Sequence, residues 1–194
     1  MNRIKEGELA RKAIHYNASL IPIIYYFFVD RQIALIILGG FSAAMIFAEI
    51  LRMRNPLSRN LYVKIFGWMT RSHEYEGHFT GATYVFLGSF FTIFLFPKEI
   101  AVIVLLFLSV GDPTACLVGL SIGKVKIWRK KTLEGSLAFI VAGFLATFWI
   151  PGISLWVKVI GTFVACFVEL IPWKVDDNIT IPIITGCMIM LLLG

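Results

Sequence analysis

A series of long apolar segments, separated by short polar loops, runs through this 194-residue chain. Hydrophobic residues make up 58% of the sequence and charged residues 15%, a balance typical of membrane proteins and too apolar for a soluble domain. We therefore predict an all-α, polytopic integral membrane protein with about seven transmembrane helices. The predicted spans are Ala13–Val29, Ile33–Leu51, Phe79–Phe96, Ile100–Ile122, Leu137–Ile150, Ile153–Ile171 and Ile179–Leu193.

The fourth predicted span carries the sequence Gly111-Asp112-Pro113 within an otherwise apolar stretch. A carboxylate is costly inside a membrane, and glycine and proline beside it disfavour a continuous helix. We expect this helix to break here, with Asp112 as the N-cap of a half-helix over Pro113–Gly123. A neutral cap would serve equally well, so the charge points to function. Glu49 differs, because Arg52 follows it by three residues and can pair with it; we interpret Glu49 as structural.

Residues 1–194 are expected to form a single membrane-embedded catalytic domain, since no soluble domain or internal repeat is evident. Its longest polar segment, residues 52–78, contains apolar residues at every fourth position, namely Leu57, Leu61, Ile65 and Met69. This spacing predicts an amphipathic helix at the membrane surface.

Positive charge is distributed unequally between the two ends of the predicted spans. Of the 18 lysine and arginine residues, only Arg31, Lys98 and Lys158 fall on the side opposite to the N-terminus. Because basic loops remain in the cytoplasm, we expect the N-terminus and the loops after the second, fourth and sixth spans to be cytoplasmic. Although the net charge is +6, we expect no nucleic-acid partner, because most of the surface of such a protein would lie in lipid.

The unusual polar residues also collect near the predicted cytoplasmic side. They are Asp112, Lys124, Lys131, Glu134, Glu169, Asp176, Asp177 and Asn178. Carboxylates bind Mg²⁺, Mg²⁺ bridges phosphate oxygens, and lysines neutralise the remaining charge. The mixture therefore predicts a magnesium–polyphosphate site, in which one residue of 176–178 also caps the last span.

Two further groups of residues have both a structural and a functional interpretation. Gly119 and Gly123 give one helix face a bare surface, which suits close helix packing or the approach of a nucleotide. Arg11, Lys12 and His15 share a face at the start of the first span. A lysine there commonly extends to the membrane surface, whereas the histidine suits contact with a hydroxyl or phosphate group.

Four motifs occur in this order along the chain: Arg11-Lys12-x-x-His15; Gly111-Asp112-x-x-Ala115 with Gly119 and Gly123-Lys124; Lys131-Thr132-x-Glu134-Gly135-Ser136; and Glu169 with Asp177-Asn178-x-Thr180-x-Pro182. Together they resemble the polyprenol kinase family, which includes dolichol, phytol and farnesol kinases and the CTP-dependent diacylglycerol kinase. That family is related to the phosphatidate cytidylyltransferases. The resemblance covers residues 8–182, although the chain is shorter than dolichol kinases and matches a compact catalytic core.

The resemblance implies an enzyme that uses CTP and Mg²⁺ to phosphorylate a membrane lipid alcohol, such as a polyprenol, a phytol-like alcohol or diacylglycerol. The implied catalytic residues are Asp112 and Glu134, and the implied metal ligands are Asp112, Asp176 and Asp177. The implied nucleotide-binding residues are Gly119, Gly123, Lys124, Lys131 and Asn178. Arg11, Lys12 and His15 would contact lipid or phosphate. A compact enzyme of this kind is expected in a prokaryotic plasma membrane, and a homodimer is compatible with it.

Two other functions remain open at the level of sequence. A phosphatidate cytidylyltransferase shares the substrates and the site chemistry, but a lipid phosphate attacks the α-phosphorus and pyrophosphate leaves. Such an acceptor needs additional basic residues near the lipid, which Arg11 and Lys12 would supply. An ion-coupled transporter also uses a broken helix with an aspartate, but it needs polar access from both faces, and here the polarity is one-sided.

Overall fold

The computed structural model describes residues 3–70, 72–75, 77–129 and 131–194. Some basic groups of the predicted cytoplasmic side lie outside the described residues. They are Arg71, Lys130 and the side chains of Arg3 and Lys5. The described part is mostly helical, which confirms the all-α part of the predicted fold class. The elements are α1 Arg3–Asn17, α2 Leu20–Phe28, α3 Arg31–Arg54, α4 Pro56–Phe66, α5 Ser72–Tyr75, α6 Gly81–Leu95, α7 Lys98–Leu106, a π-helical turn Phe107–Gly111, α8 Asp112–Ile122, β1 Lys126–Trp128, β2 Lys131–Thr132, α9 Leu133–Thr147, α10 Leu155–Leu170 and α11 Asp177–Leu193.

Among the described residues, two helices are long and apolar enough to cross a membrane: Arg31–Arg54 and the continuous helix Lys98–Ile122. Three shorter apolar helices, α6, α9 and α11, accompany them. Large apolar side chains also face outward, such as Phe28, Ile36 and Leu191, which are 79%, 75% and 79% exposed. An apolar exterior is typical of lipid-facing helices. The arrangement of about seven spans stays a prediction.

The predicted break at Gly111-Asp112-Pro113 is wrong, because the backbone stays helical through this sequence. Asp112 has φ −59° and ψ −49°, so it is part of the helix and not its N-cap. Pro113 has no amide hydrogen to bond the carbonyl of Ser109, and its ring would crowd that carbonyl in a regular α-helix. The wider π-helical turn just before it accommodates the proline without ending the helix.

The predicted first span is divided in the structure, since α1 ends at Asn17 and α2 begins at Leu20. Pro22 has no amide to donate to Ala18, and the Asn17 side-chain amide donates to the Ala13 carbonyl at 2.9 Å. Both features favour a turn over a continuous helix. The sequence-based prediction overlooked the proline.

The segment after α3 contains a helix at the predicted place, but it ends at Phe66 and so does not include Met69. Asn55 caps α4 by accepting from the Leu57 amide at 2.8 Å, and Pro56 occupies its first turn. Leu57, Leu61 and Ile65 are 77%, 59% and 50% exposed. These exposed apolar side chains suit a helix that lies on a membrane surface, which remains a prediction.

The middle of the fold is the buried helix α7 with its π-helical turn. Residues 101–107 are at most 3% exposed, and α9, α10 and α11 pack around them. α8 then packs against α9, where glycines allow close approach: a Cβ on Gly135 would lie 2.7 Å from the Ala115 carbonyl oxygen. This packing fixes the position of Asp112, which comes directly after the buried turn.

The basic loop after α8 forms a short antiparallel hairpin that the sequence did not predict. Trp128 and Lys131 are register partners, and a bulge interrupts the pairing between Lys126 and Trp128. Thr132 ends the hairpin and caps α9, since its side chain accepts from the Gly135 amide at 3.2 Å. The hairpin therefore holds Lys131 beside the start of α9.

Candidate active site

Asp112 lies in a buried cluster with two side chains from α1. Lys12 Nζ donates to Asp112 Oδ2 at 2.7 Å, and His15 Nδ1 lies 3.0 Å from the same oxygen. Asp112 is 5% exposed, and a carboxylate so buried requires positive or donating partners. A hydrogen bond of 2.5 Å between Tyr16 Oη and Thr114 Oγ1 joins α1 to α8 beside the cluster. The structure thus brings together two motifs about a hundred positions apart in the sequence.

Arg11 is oriented differently from Lys12 and His15. It donates from Nη1 to the Met69 carbonyl at 2.7 Å and forms an ion pair with Glu8. These contacts tie α1 to the segment that follows α4. Arg11 therefore contributes its charge to the edge of the cluster without contacting Asp112.

A second acid–base pair joins the hairpin to α10. Lys131 forms an ion pair with Glu169, which is 4% exposed and which the sequence did not separate clearly from a structural residue. Although burial disfavours the charge of Lys131, the Glu169 carboxylate raises the pKa of the lysine above its usual value. Lys131 is therefore a permanent cation beside the acidic residues at the start of α11.

Asp176 and Asp177 precede the apolar part of the last helix. Asp176 caps α11, because its Oδ1 accepts from the Asn178 amide at 3.0 Å and from the Asn178 side chain at 2.6 Å. Burial and then the charge of Asp112 raise the pKa of Asp177 to about 6. A carboxylate held among like charges is a natural partner for a cation.

These groups surround one cavity of about 580 Å³. It is lined by nine of the residues that the sequence suggested for the site: Arg11, Lys12, His15, Asp112, Gly119, Lys131, Asp176, Asp177 and Asn178. Three polar atoms of lining residues, Arg11 Nε, His15 Nε2 and Asn178 Oδ1, are buried and have no hydrogen-bond partner within the part of the chain that the structure describes. Buried polar atoms normally have partners, so all three indicate the place of a ligand.

Three suggested site residues do not line this cavity. Gly123 packs against the end of the hairpin, where a Cβ would lie 2.7 Å from Thr132 Oγ1, and Lys124 is exposed. Glu134 accepts from the Val125 amide at 3.2 and 3.3 Å, which closes the base of the hairpin. Hydrogen bonds from backbone amides lower the pKa of Glu134, which makes it a weaker base. Its position suits a structural role.

No group of three or more His, Cys, Asp or Glu side chains suited to a metal ion occurs among the described residues. Mg²⁺ in a nucleotide site commonly uses only one or two carboxylates, together with phosphate oxygens and water. Asp177 and Asp176 fit that requirement, because they line the cavity beside Lys131. Asp112 fits it less well, since Lys12 and His15 already occupy its Oδ2.

Glu49 is structural, as the sequence suggested. Arg52 Nε donates to Glu49 Oε2 at 2.7 Å, and Thr80 donates to Oε1 from both its amide and its hydroxyl. Arg52 also donates to the carbonyls of Glu74 and His78. This cluster fastens the end of α3 to the segment that leads into α6.

A helical protein with an apolar exterior and one cavity that combines buried carboxylates with lysines fits the class of lipid-modifying membrane enzymes. Comparison with known proteins specifies the family. The chain is 30% identical to a CTP-dependent diacylglycerol kinase 1 of Schizosaccharomyces pombe, over 97% of this chain and 95% of that protein. It is 27% identical to the Saccharomyces cerevisiae protein of the same name, over 92% of this chain and 65% of that protein. The chain is 25% identical to a probable chloroplastic phytol kinase 2 of Glycine max, over 98% of this chain and 67% of that protein.

The chain therefore belongs to the polyprenol kinase family, the group that contains the CTP-dependent diacylglycerol kinases and the phytol kinases, and it is a nucleotide-using lipid kinase. An uncharacterised protein of Rickettsia prowazekii is a further relative, 29% identical over 91% of this chain and 90% of its own length. No family model matches the chain. No solved structure matches it.

Proposed function

We propose that this chain transfers the γ-phosphoryl group of CTP to the hydroxyl group of a membrane lipid alcohol, of the diacylglycerol or isoprenoid type. The observation that carries the proposal is the pairing of Asp112 with His15 in a cavity where His15 Nε2 has no partner among the described residues. A kinase of this kind requires a base that faces the acceptor hydroxyl, and this arrangement supplies one.

His15 acts as that base in the proposed mechanism. When Nδ1 donates to Asp112, the neutral imidazole has its lone pair on Nε2 and can accept a hydrogen bond from the lipid hydroxyl. The hydroxyl oxygen then forms a bond to the γ-phosphorus while the bond between that phosphorus and the β,γ-bridging oxygen breaks. The hydroxyl proton moves to Nε2, CDP leaves, and Asp112 stabilises the imidazolium that has formed. Asp112 is thus a positioning residue, and Lys12 balances its charge in the resting enzyme.

The triphosphate lies against Lys131 and the start of α11 in this scheme. Lys131 neutralises phosphate charge, and the unpartnered Asn178 Oδ1 is available to a water or hydroxyl donor of the nucleotide. Asp177, with Asp176, would hold Mg²⁺, which neutralises charge on the β- and γ-phosphates when it is bound. This assignment moves the metal away from Asp112, in keeping with the contacts that Asp112 makes to cationic and donor groups.

The lipid occupies the apolar part of the cavity, where Ile14, Met45, Phe66, Val85 and Leu120 contribute to the lining. Its hydroxyl group then reaches the polar part that contains His15.

The proposed enzyme is a multi-pass membrane protein whose active site lies at the cytoplasmic face of the membrane. Support comes from the elements that line the cavity, since α1, the hairpin and the start of α11 all belong to the side rich in lysine and arginine. The outward-facing apolar side chains of α2, α3 and α11 support lipid contact. About seven spans, a prokaryotic plasma membrane and a homodimer belong to the same proposal.

The function can be tested with purified protein in detergent, Mg²⁺ and CTP labelled in parallel at the γ- and the α-phosphate. The acceptors are diacylglycerol, phytol, farnesol, a longer polyprenol and phosphatidate. We expect label on a lipid alcohol from γ-labelled CTP only. Lipid labelled from α-labelled CTP would establish a cytidylyltransferase, and no labelled lipid from either would favour a transporter. Replacement of Mg²⁺ by EDTA is expected to abolish transfer.

A further inference from the structure

A second cavity, of about 530 Å³, lies beside the first and shares part of its wall. The shared residues are Lys131, Glu169, Asp176 and Asp177. The remainder of the second cavity is formed by the hairpin, by the connection between α10 and α11, and by the residues that lead into α6. These are loop elements at one end of the molecule, in contrast to the helices that supply the apolar part of the first cavity.

The second cavity combines aromatic rings with cations. Besides Lys131 of the shared wall, its aromatic and basic lining residues include Phe79, Tyr84, Trp128, Trp173, Arg129 and Lys174. Trp128 and Trp173 are 57% and 44% exposed, although large aromatic side chains usually lose most of their exposure on folding. Exposed aromatic faces beside positive charge are the combination that binds a nucleobase by stacking.

Backbone contacts fix both tryptophans next to the shared wall. Trp128 is the register partner of Lys131 across the hairpin, so the indole and the phosphate-binding lysine are held by the same pair of strands. Trp173 Nε1 donates to the Val168 carbonyl at 3.0 Å, which satisfies the polar edge of the ring and leaves its faces for stacking. Arg129 lies at the turn of this hairpin and has φ +49°, a backbone conformation that residues other than glycine rarely adopt.

We propose that this second cavity binds the base of the nucleotide, with the pyrimidine ring stacked on Trp128 or Trp173. The inference rests on the proposed kinase function, because that function places the triphosphate at the shared wall. The lipid then fills the apolar part of the first cavity, so the base must extend from the phosphates to the other side of the wall. The Arg129 guanidinium group supplies donors that suit O2 and N3 of cytosine, which are acceptors.

A different role for the same tryptophans is anchoring at the membrane surface, where tryptophan is enriched. Trp68 provides a matched control for that role. It lies on the same predicted side of the membrane, and its exposed fraction of 58% is similar to that of Trp128. It lines neither of the two cavities. An anchoring role predicts similar effects for all three tryptophans, whereas base binding separates Trp68 from the other two.

The test measures the binding of CTP and of inorganic tripolyphosphate by calorimetry, with full-length protein in detergent, Mg²⁺ and no lipid. The two variants are Trp128→Ala and Trp173→Ala. We expect the Kd for CTP to rise about tenfold in the variant that removes the stacking ring, since removal of a stacking aromatic typically has that effect. The Kd for tripolyphosphate is expected to stay unchanged, because the phosphate contacts are retained. Trp68→Ala is expected to leave both constants unchanged. At the stacking position, the conservative variant Trp128→Phe or Trp173→Phe is expected to retain most of the CTP affinity.

The outcomes are distinguishable. CTP binding of wild-type strength in Trp128→Ala, in Trp173→Ala and in the double variant would overturn the base site and leave the kinase proposal intact. An equal loss of CTP and tripolyphosphate binding would also overturn it, since the tryptophans would then maintain the fold. Absence of CTP binding by the wild-type protein would overturn both proposals. Size-exclusion profiles and thermal melts of each variant identify any that fail to fold.

Discussion

Two buried carboxylates, Glu49 and Asp112, occupy similar positions in long apolar helices but differ in how completely their clusters are satisfied. The oxygens of Glu49 accept from Arg52, Thr80 and Thr83, and Arg52 uses its other nitrogens on backbone carbonyls. In the Asp112 cluster, the far nitrogen of His15 has no partner among the described residues and belongs to a cavity wall. Burial of a charge is therefore common to a structural cluster and to the proposed catalytic one, and the unsatisfied atom distinguishes the two.

Replacement of Asp112 by Asn should produce the largest loss of activity. The amide cannot stabilise an imidazolium and favours the wrong tautomer of His15, a change that lowers kcat by about 10³- to 10⁴-fold where a carboxylate orients a catalytic histidine. The measurement is the initial rate of transfer from γ-labelled CTP, with a thermal melt in detergent. Wild-type turnover in a folded Asp112→Asn protein would contradict the proposed mechanism.

Replacement of His15 by Gln should lower kcat by about 10²- to 10³-fold, the usual contribution of a general base. Glutamine retains a donor for Asp112 but cannot accept a proton. The Kd for CTP should stay near the wild-type value, because His15 faces the acceptor and not the nucleotide in the proposed scheme. A large increase in that Kd with an unchanged kcat would instead place His15 at the phosphates.

Replacement of Glu49 by Ala should affect stability more than chemistry. It leaves the buried Arg52 without its carboxylate, and breaking a buried ion pair typically costs about 3 to 5 kcal/mol of folding free energy. We expect a clearly lower Tm and a kcat per folded molecule close to that of the wild type. A stable Glu49→Ala protein that is inactive would remove the distinction between the two clusters.

Replacement of Glu134 by Gln should have the smallest effect of the series. Its side chain accepts hydrogen bonds from the hairpin backbone outside the cavity, and glutamine retains an acceptor there. We expect both kcat and Tm to stay close to the wild-type values, as for most substitutions of surface residues. A severe loss of kcat would restore Glu134 to the catalytic role that the family resemblance implies.

Hydropathy was sufficient to predict the helical class and the approximate location of most helices, because apolar runs in lipid must satisfy their backbone hydrogen bonds internally. The errors fall where local and tertiary effects compete. Pro113 predicts a helix break in isolation, but close packing around the preceding turn keeps the helix continuous. Pro22, in contrast, lies in a less buried helix, and there the chain does turn. The hairpin at 126–132 was missed because its strands are too short to show a period.

The site was predicted as a set of residues but not as a set of contacts. A buried aspartate requires a partner, and Lys12 and His15 were among the few polar groups in the apolar segments, which is the signal that could have paired them with Asp112. The role of Glu134 was less accessible, because its motif gives no indication that the side chain turns toward the hairpin. The second cavity forms where three segments that are separate in the sequence meet in space. The distances between these segments depend on tertiary packing, so no local sequence pattern predicts them.

The π-helical turn at Phe107–Gly111 has a consequence for how one helix serves two environments. A π-helical turn contains one residue more than the α-helical turn it replaces, and each residue of an α-helix rotates the chain by about 100°. The turn therefore resets the phase between the two halves, so that α7 is buried on all sides while α8 directs Asp112 and Thr114 toward α1. If the same residues were wound as a regular α-helix, the carboxylate would be rotated by about 100° away from Lys12 and His15, without a change in any side chain of the site.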